Sequence, residues 1–246
     1  MTQFKNNNAD LFEQLSSVQA KKQGNSLKQN NKVKGASKEK IGLFQRLALL
    51  YDNMQTAYNL VAKEAGLDCR GCKDNCCYSY FRHHTFVEWA YLWRGLQALP
   101  KDVYQKIYER AKKYVIETHL AESNNTIPRL ACPLLDETSG RCELYEYRLM
   151  ICRLHGTKNI MHLENSQKSE SEILTESSSK IQTFPGCVRY VELMHNFENP
   201  PSLDRTEFYQ ELAKLEFEFR VKKNMLNSRI DLTIAEMIVS GIPKNK

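Results

Sequence analysis

The chain has 246 residues, 41% of them apolar and 26% charged, with a formal charge of +6, which allows one sizeable domain or two small ones of ordinary globular balance. No stretch approaches the roughly 18–20 consecutive apolar residues that a membrane span needs. The opening residues M-T-Q-F-K-N-N-N-A-D carry no apolar core and no small-residue cleavage site, so no leader is expected and the cytoplasm is the expected compartment.

Residues 1–40 come first in chain order and read as a disordered basic arm, with at most a short helix at Leu11–Val18. Their eight lysines face only Asp10, Glu13 and Glu39, and Lys244 and Lys246 add charge at the other end, which leaves the body between at −1. A nucleic-acid binder carries its basic charge on a folded face with aromatics interleaved. Here the charge sits in a tail of Asn, Gln, Ser and Lys, so neither nucleic acid nor membrane is an expected partner.

From 41 to 246 one domain is expected, mainly α, with small helices around a loop-rich centre and at most short strands. Leu43, Leu47, Leu50, Tyr51, Met54, Tyr58 and Val61 recur at helical spacing and stop at Gly66. Thr85-x-x-Glu88 has the form of a capping box, opening a helix whose stripe is Trp89, Leu92, Trp93 and Leu96 and which ends at Pro100. The two tryptophans fit core packing better than a ligand-stacking face. A third helix is expected from Lys101 to Leu120, with Val103, Ile107, Ala111 and Tyr114 or Val115 inward. Between 127 and 187 the pattern is irregular: a short strand at Cys142–Tyr145, a helical turn at Tyr147–Leu154 and a polar loop or hairpin over 164–180. After Pro200-Pro201, Asp204-x-x-Glu207 reads as a capping-box variant before Phe208, Leu212, Leu215 and Phe219. A last short helix is expected at Thr233–Val239.

All eight cysteines fall in one window: Cys69, Cys72, Cys76, Cys77, Cys132, Cys142, Cys152 and Cys187. Small buried hydrophobes would not avoid both flanks, nor crowd as C-R-G-C-K-D-N-C-C. A disulfide framework belongs to short secreted chains, and this chain is neither short nor visibly secreted. Metal ligation explains the pattern better, because thiolates are soft donors suited to zinc, copper(I) and iron–sulfur clusters. Cys69-Arg70-Gly71-Cys72 is a tight two-thiolate turn. Cys76 and Cys77 are adjacent and should point apart, implying two metals, a cluster or one spare thiol. Cys132, Cys142 and Cys152 recur every ten residues, which suits three loop ends converging on one point rather than a second zinc knuckle. Spacing therefore leans from two zinc sites towards an iron–sulfur cluster, for example 4Fe–4S, with zinc or another form of iron still open.

The run C-x-x-C-x-x-x-C-C, then C-P-x-L, then G-x-C-x-L-Y-x-x-R-x-x-x-C-R resembles the YkgJ-like cysteine-cluster family of zinc- or iron-chelating domains. The resemblance spans 69–187 and implies that the first seven cysteines are motif residues, with Cys187 a later member. One departure is Leu149, where the family usually has proline after the motif arginine. The family includes flagellin lysine N-methylases, so it fixes binding better than reaction.

Three histidines stand near the cysteines: His83, His84 and His155, with His83 and His155 the better candidates to join the site. Arg148 and Arg153 are placed to offset thiolate charge. The chain has no G-x-G-x-x-G, no G-x-x-x-x-G-K-S/T, no H-E-x-x-H, no G-x-S-x-G and no C-x-x-x-C-x-x-C. The leading reading is a protein that binds zinc or iron. The others are a protein lysine N-methylase-like enzyme using the cluster, and a zinc-structured module for a protein partner.

Overall fold

The computed structural model describes residues 41–69, 72, 76–163 and 180–244. The proposed arm 1–40, with its short helix, and residues 164–179 of the polar loop lie outside these. Seven α-helices and five short strands are present among the described residues. The fold is mainly α.

Helix α1 (Leu43–Glu64) buries Leu47, Leu50, Tyr51 and Met54, one stripe of the 3.6-residue period. Removing each such side chain from water stabilises the fold by about 1.5–3 kcal/mol. The helix closes at Gly66: the Gly66 amide donates to Lys63 O at 3.1 Å and the Leu67 amide to Ala62 O at 2.8 Å, which satisfies carbonyls that a helix end otherwise strands. Helix α2 (Phe86–Ala98) buries Trp89, Leu92 and Leu96. The Trp89 and Trp93 indoles both donate to the Met237 carbonyl at 3.0 Å, so the tryptophan stripe is core. Helix α3 (Lys101–Ser123) turns Ile107, Ala111 and Tyr114 inward.

The centre is built from short pieces. Strands β1 (Leu135–Asp136) and β2 (Arg141–Cys142) pair antiparallel, with Leu135 opposite Cys142. A 3₁₀ turn at Tyr145–Tyr147 leads into α4 (Met150–Leu154). Strand β3 (Lys158–Leu163) pairs antiparallel with β4 (Lys180–Phe184) and parallel with β5 (Ser202–Asp204). Helix α5 (Val188–Met194) lies between β4 and β5, α6 (Thr206–Lys222) follows, and α7 (Ile234–Val239) ends the fold. Helix α1 packs on α4 and α6, α2 on α6, and α3 on α7.

Two expected capping boxes do not form. Thr85 donates its hydroxyl to the Glu88 carboxylate at 2.6 Å and caps no amide, because Glu88 is held by partners outside its helix. Asp204 sits one residue before the helix boundary at Arg205 and accepts the Thr206 amide at 2.9 Å. The box that does form is Thr233 with Glu236, at the start of α7.

Candidate metal centre

The eight cysteines are all thiols, none in a disulfide. Cys69 follows the end of α1, and the Cys72 amide donates to Cys69 O at 3.3 Å, closing the C-x-x-C turn. Cys76 and Cys77 open a 3₁₀ turn. The two thiols, expected from adjacency to point apart, sense each other, Cys77 being the first cause that raises Cys76. The Cys132 amide donates to Cys77 O at 2.7 Å, which binds the two halves of the window together. Cys142 lies on β2, Cys152 on α4, and Cys187 is the N-cap of α5, its sulfur accepting the Tyr190 amide at 3.4 Å.

Electrostatics divide these thiols into two sets. Burial pushes the Cys132 thiol well up, and the neighbouring Cys142, Cys152 and Cys76 push it further. Burial, then Cys142 and Cys76, push Cys152 up to about 12. Cys76 is raised by Cys77 and then by burial. Cys142 is raised by burial, with Cys76 among its neighbours. These four form an inner set, and Cys132, Cys142 and Cys152 lie against the main hydrophobic core. Cys187 is raised by burial first, and the cysteines it feels are Cys69 and Cys72. That outer set lies beside a satellite core of Ala62, Ala65, Leu67, Tyr190 and Met194.

Tyr58 joins the sets. Its side chain packs against both cores, its hydroxyl lies 3.7 Å from Cys69 Sγ, and burial followed by Cys69, Cys187 and Cys76 raises its pKa. Gly156 makes room for it, since a Cβ there would stand 1.9 Å from the Tyr58 hydroxyl oxygen. Nothing in the sequence pattern singled out Tyr58 beyond its place on the α1 stripe.

The supporting shell is polar and spans several elements. Arg110 of α3 donates to the Pro133 carbonyl at 2.9 Å and pairs with Glu143, so one guanidinium holds the segments next to Cys132 and Cys142. Arg148 donates to Gln55 Oε1 at 2.9 Å, and its charge acts to lower the pKa values of Cys76, Cys142 and Cys152. Arg153, proposed beside it as a thiolate partner, is committed elsewhere: it donates to Arg148 O at 2.8 Å and Glu146 O at 2.7 Å and lies over the Tyr51 ring. It props the turn before Cys152. Leu149, which stands in the proline position, has φ −76°, inside the range that a proline ring imposes, so the substitution leaves the turn intact.

The histidines have other surroundings. His83 forms a backbone bridge with Leu232, and its buried ring has no hydrogen-bond partner among the described residues. Burial, and then the charges of His84 and Arg82, lower its pKa to about 3. His84 Nδ1 lies 3.4 Å from Asp231 Oδ1, and the His155 ring stands edge-on to Phe81 at 4.8 Å.

Residues 68–177 match the family model CxxCxxCC, described as "Putative zinc- or iron-chelating domain". The segment is similar to that cysteine-cluster family. The match takes in seven of the eight cysteines and somewhat under half of the chain, and Cys187 lies beyond it. No curated protein and no solved structure matches the chain. The donor chemistry of the cysteine window fits a thiophilic metal: soft sulfur ligands, partly screened from water, several of them close enough to perturb one another. Among the described residues no group of three His, Cys, Asp or Glu side chains is arranged around one point as for a bound ion, and no helix is long and apolar enough to cross a membrane.

Proposed function

We propose that the protein binds zinc or iron through its cysteines, with Cys76, Cys132, Cys142 and Cys152 as the primary ligand set. The observation that carries this reading is that Cys132, Cys142 and Cys152 pack against the main core and that all three thiols feel Cys76. Four thiols crowded in a partly buried place repel once ionised, and a cation removes that repulsion. Cys69, Cys72 and Cys187 form a second set, which holds a separate ion or completes a larger assembly, with Cys77 beside the first. A bound metal would be held by the Cys76, Cys132, Cys142 and Cys152 thiolates.

A bound zinc ion would supply a cross-link for the loops, and an iron–sulfur cluster would add electron transfer. The ten-residue spacing of Cys132, Cys142 and Cys152 favours the cluster. The chain's own residues hold the ligand loops in place through Arg110, Arg153 and Tyr58, and Arg148 offsets thiolate charge.

Serine substitutions test the division into sets. In protein prepared without oxygen, Cys132→Ser and Cys152→Ser should each remove most of the metal, whereas Cys187→Ser should leave the inner metal in place. Undiminished metal in Cys152→Ser would overturn the assignment.

A further inference from the structure

Beside the cysteines lies a cavity of about 400 Å³ whose lining includes none of them. Its volume is within the roughly 300–1,000 Å³ of small-molecule sites. Phe81, Leu154 and Phe184 supply apolar wall, and Arg205, Thr157 and Asn159 supply polar wall.

Arg205 is 6% exposed. Its guanidinium carbon lies 4.2 Å from the Phe184 ring centroid and 5.1 Å from that of Tyr209. Its Nε is buried with no hydrogen-bond partner among the described residues. The carboxylate whose charge it feels, Glu88, is taken up by Tyr51, Thr85 and Met150. Arg82, the other arginine at the cavity, is by contrast paired, donating to Asp231 Oδ1 at 2.8 Å and to the Tyr80 hydroxyl at 2.7 Å. A cation withdrawn from water without an anion is costly, and aromatic faces offset only part of that cost.

The Thr157 hydroxyl and Asn159 Oδ1 behind this wall are buried without partners among the described residues. The Asn159 amide nitrogen donates to Leu154 O at 2.8 Å and Thr157 O at 2.7 Å, which fixes its side chain in place. A guanidinium at the wall with no carboxylate partner among the described residues, set beside apolar walls, matches an oxyanion attached to an apolar body.

We propose that this cavity binds a small carboxylate with an apolar or aromatic body, its carboxylate paired with Arg205 and its body against Phe81, Leu154 and Phe184. No cysteine lines the cavity, although Ile151 and Gly186 in its wall adjoin Cys152 and Cys187.

The test is calorimetric titration of the full chain, prepared without oxygen, with benzoate and separately with inorganic phosphate. Saturable binding of benzoate is expected, with phosphate at least tenfold weaker. Arg205→Met should weaken benzoate at least tenfold and Arg205→Lys less, with metal content and helical circular dichroism unchanged. Should Arg205→Met fail to fold, Phe81→Ala decides. Phe81 lines the cavity and is only partly buried, and its truncation should weaken benzoate several-fold. No saturable benzoate binding, phosphate binding as tight as benzoate, or unchanged benzoate affinity in the deciding variant would overturn the proposal.

Discussion

The Met150 amide donates to Glu88 Oε1 at 2.7 Å across 62 residues of chain. Met150 is the first residue of α4, the helix that carries Cys152, and its N–H is one that a helix start leaves without a partner. The same carboxylate accepts the Tyr51 hydroxyl of α1 at 2.7 Å and the Thr85 hydroxyl at 2.6 Å. One buried side chain therefore ties α1, the start of α2 and the cysteine-bearing turn together. Glu88→Ala leaves three buried donors unpaired, and each costs about 1–3 kcal/mol. A loss of about 3–5 kcal/mol is expected in urea unfolding, with Tyr51→Phe costing far less alone and little more in the Glu88→Ala background. Additive losses would show that the two side chains act independently.

Gly95 faces the Tyr147 ring, where a Cβ would lie 2.5–3.0 Å from three ring atoms. That contact seats the turn preceding α4 against α2. Gly95→Ala is expected to cost about 1–3 kcal/mol through overpacking, and Tyr147→Leu in the same protein should recover part of it. A Gly95→Ala protein as stable as the parent would show that the turn yields freely.

Much of the helical frame was legible because apolar stripes are local signals. The stripe of α1, the tryptophan stripe of α2 and the inward face of α3 each emerge where the 3.6-residue period puts them. The β3–β4–β5 sheet was not legible. Lys-Asn-Ile-Met-His-Leu buries a polar Asn159 beside Met161, and its parallel partner Ser202–Asp204 is remote in sequence. Thr85-x-x-Glu88 misled because tertiary partners claim the glutamate. The cysteines could be named from spacing, but their division into two sets depends on Tyr58, Arg110 and the two cores, which only the fold assembles.

Stability should respond to pH through two buried groups of opposite sign. His83, held to about 3, stays neutral in the fold while the unfolded chain takes up a proton below about 6.5. Its contribution is present above that value and lost as pH falls towards 3. Glu216, pushed up to about 7 mainly by burial, keeps its proton in the fold up to about 7, whereas the unfolded carboxyl releases it near 4.3. Its contribution is lost as pH rises through that window. Between about 4.5 and 6.5 the slopes oppose. Relative to the parent, His83→Leu should gain stability as pH falls from 6.5 to 4.5. Parallel pH curves for the two proteins would refute this.

Residues 1–40 lack apolar periodicity and should be dispensable for the domain. A chain starting at Lys40 is expected to keep its metal content and helical signal, and loss of either would assign the arm a structural part.

Elemental analysis of the full chain purified without oxygen, read with its visible absorption spectrum, bears most directly on metal binding. At least one tightly held zinc or iron per chain is expected, and visible absorption with iron and sulfide would identify the cluster form. Folded protein carrying less than about 0.2 metal per chain would contradict the account.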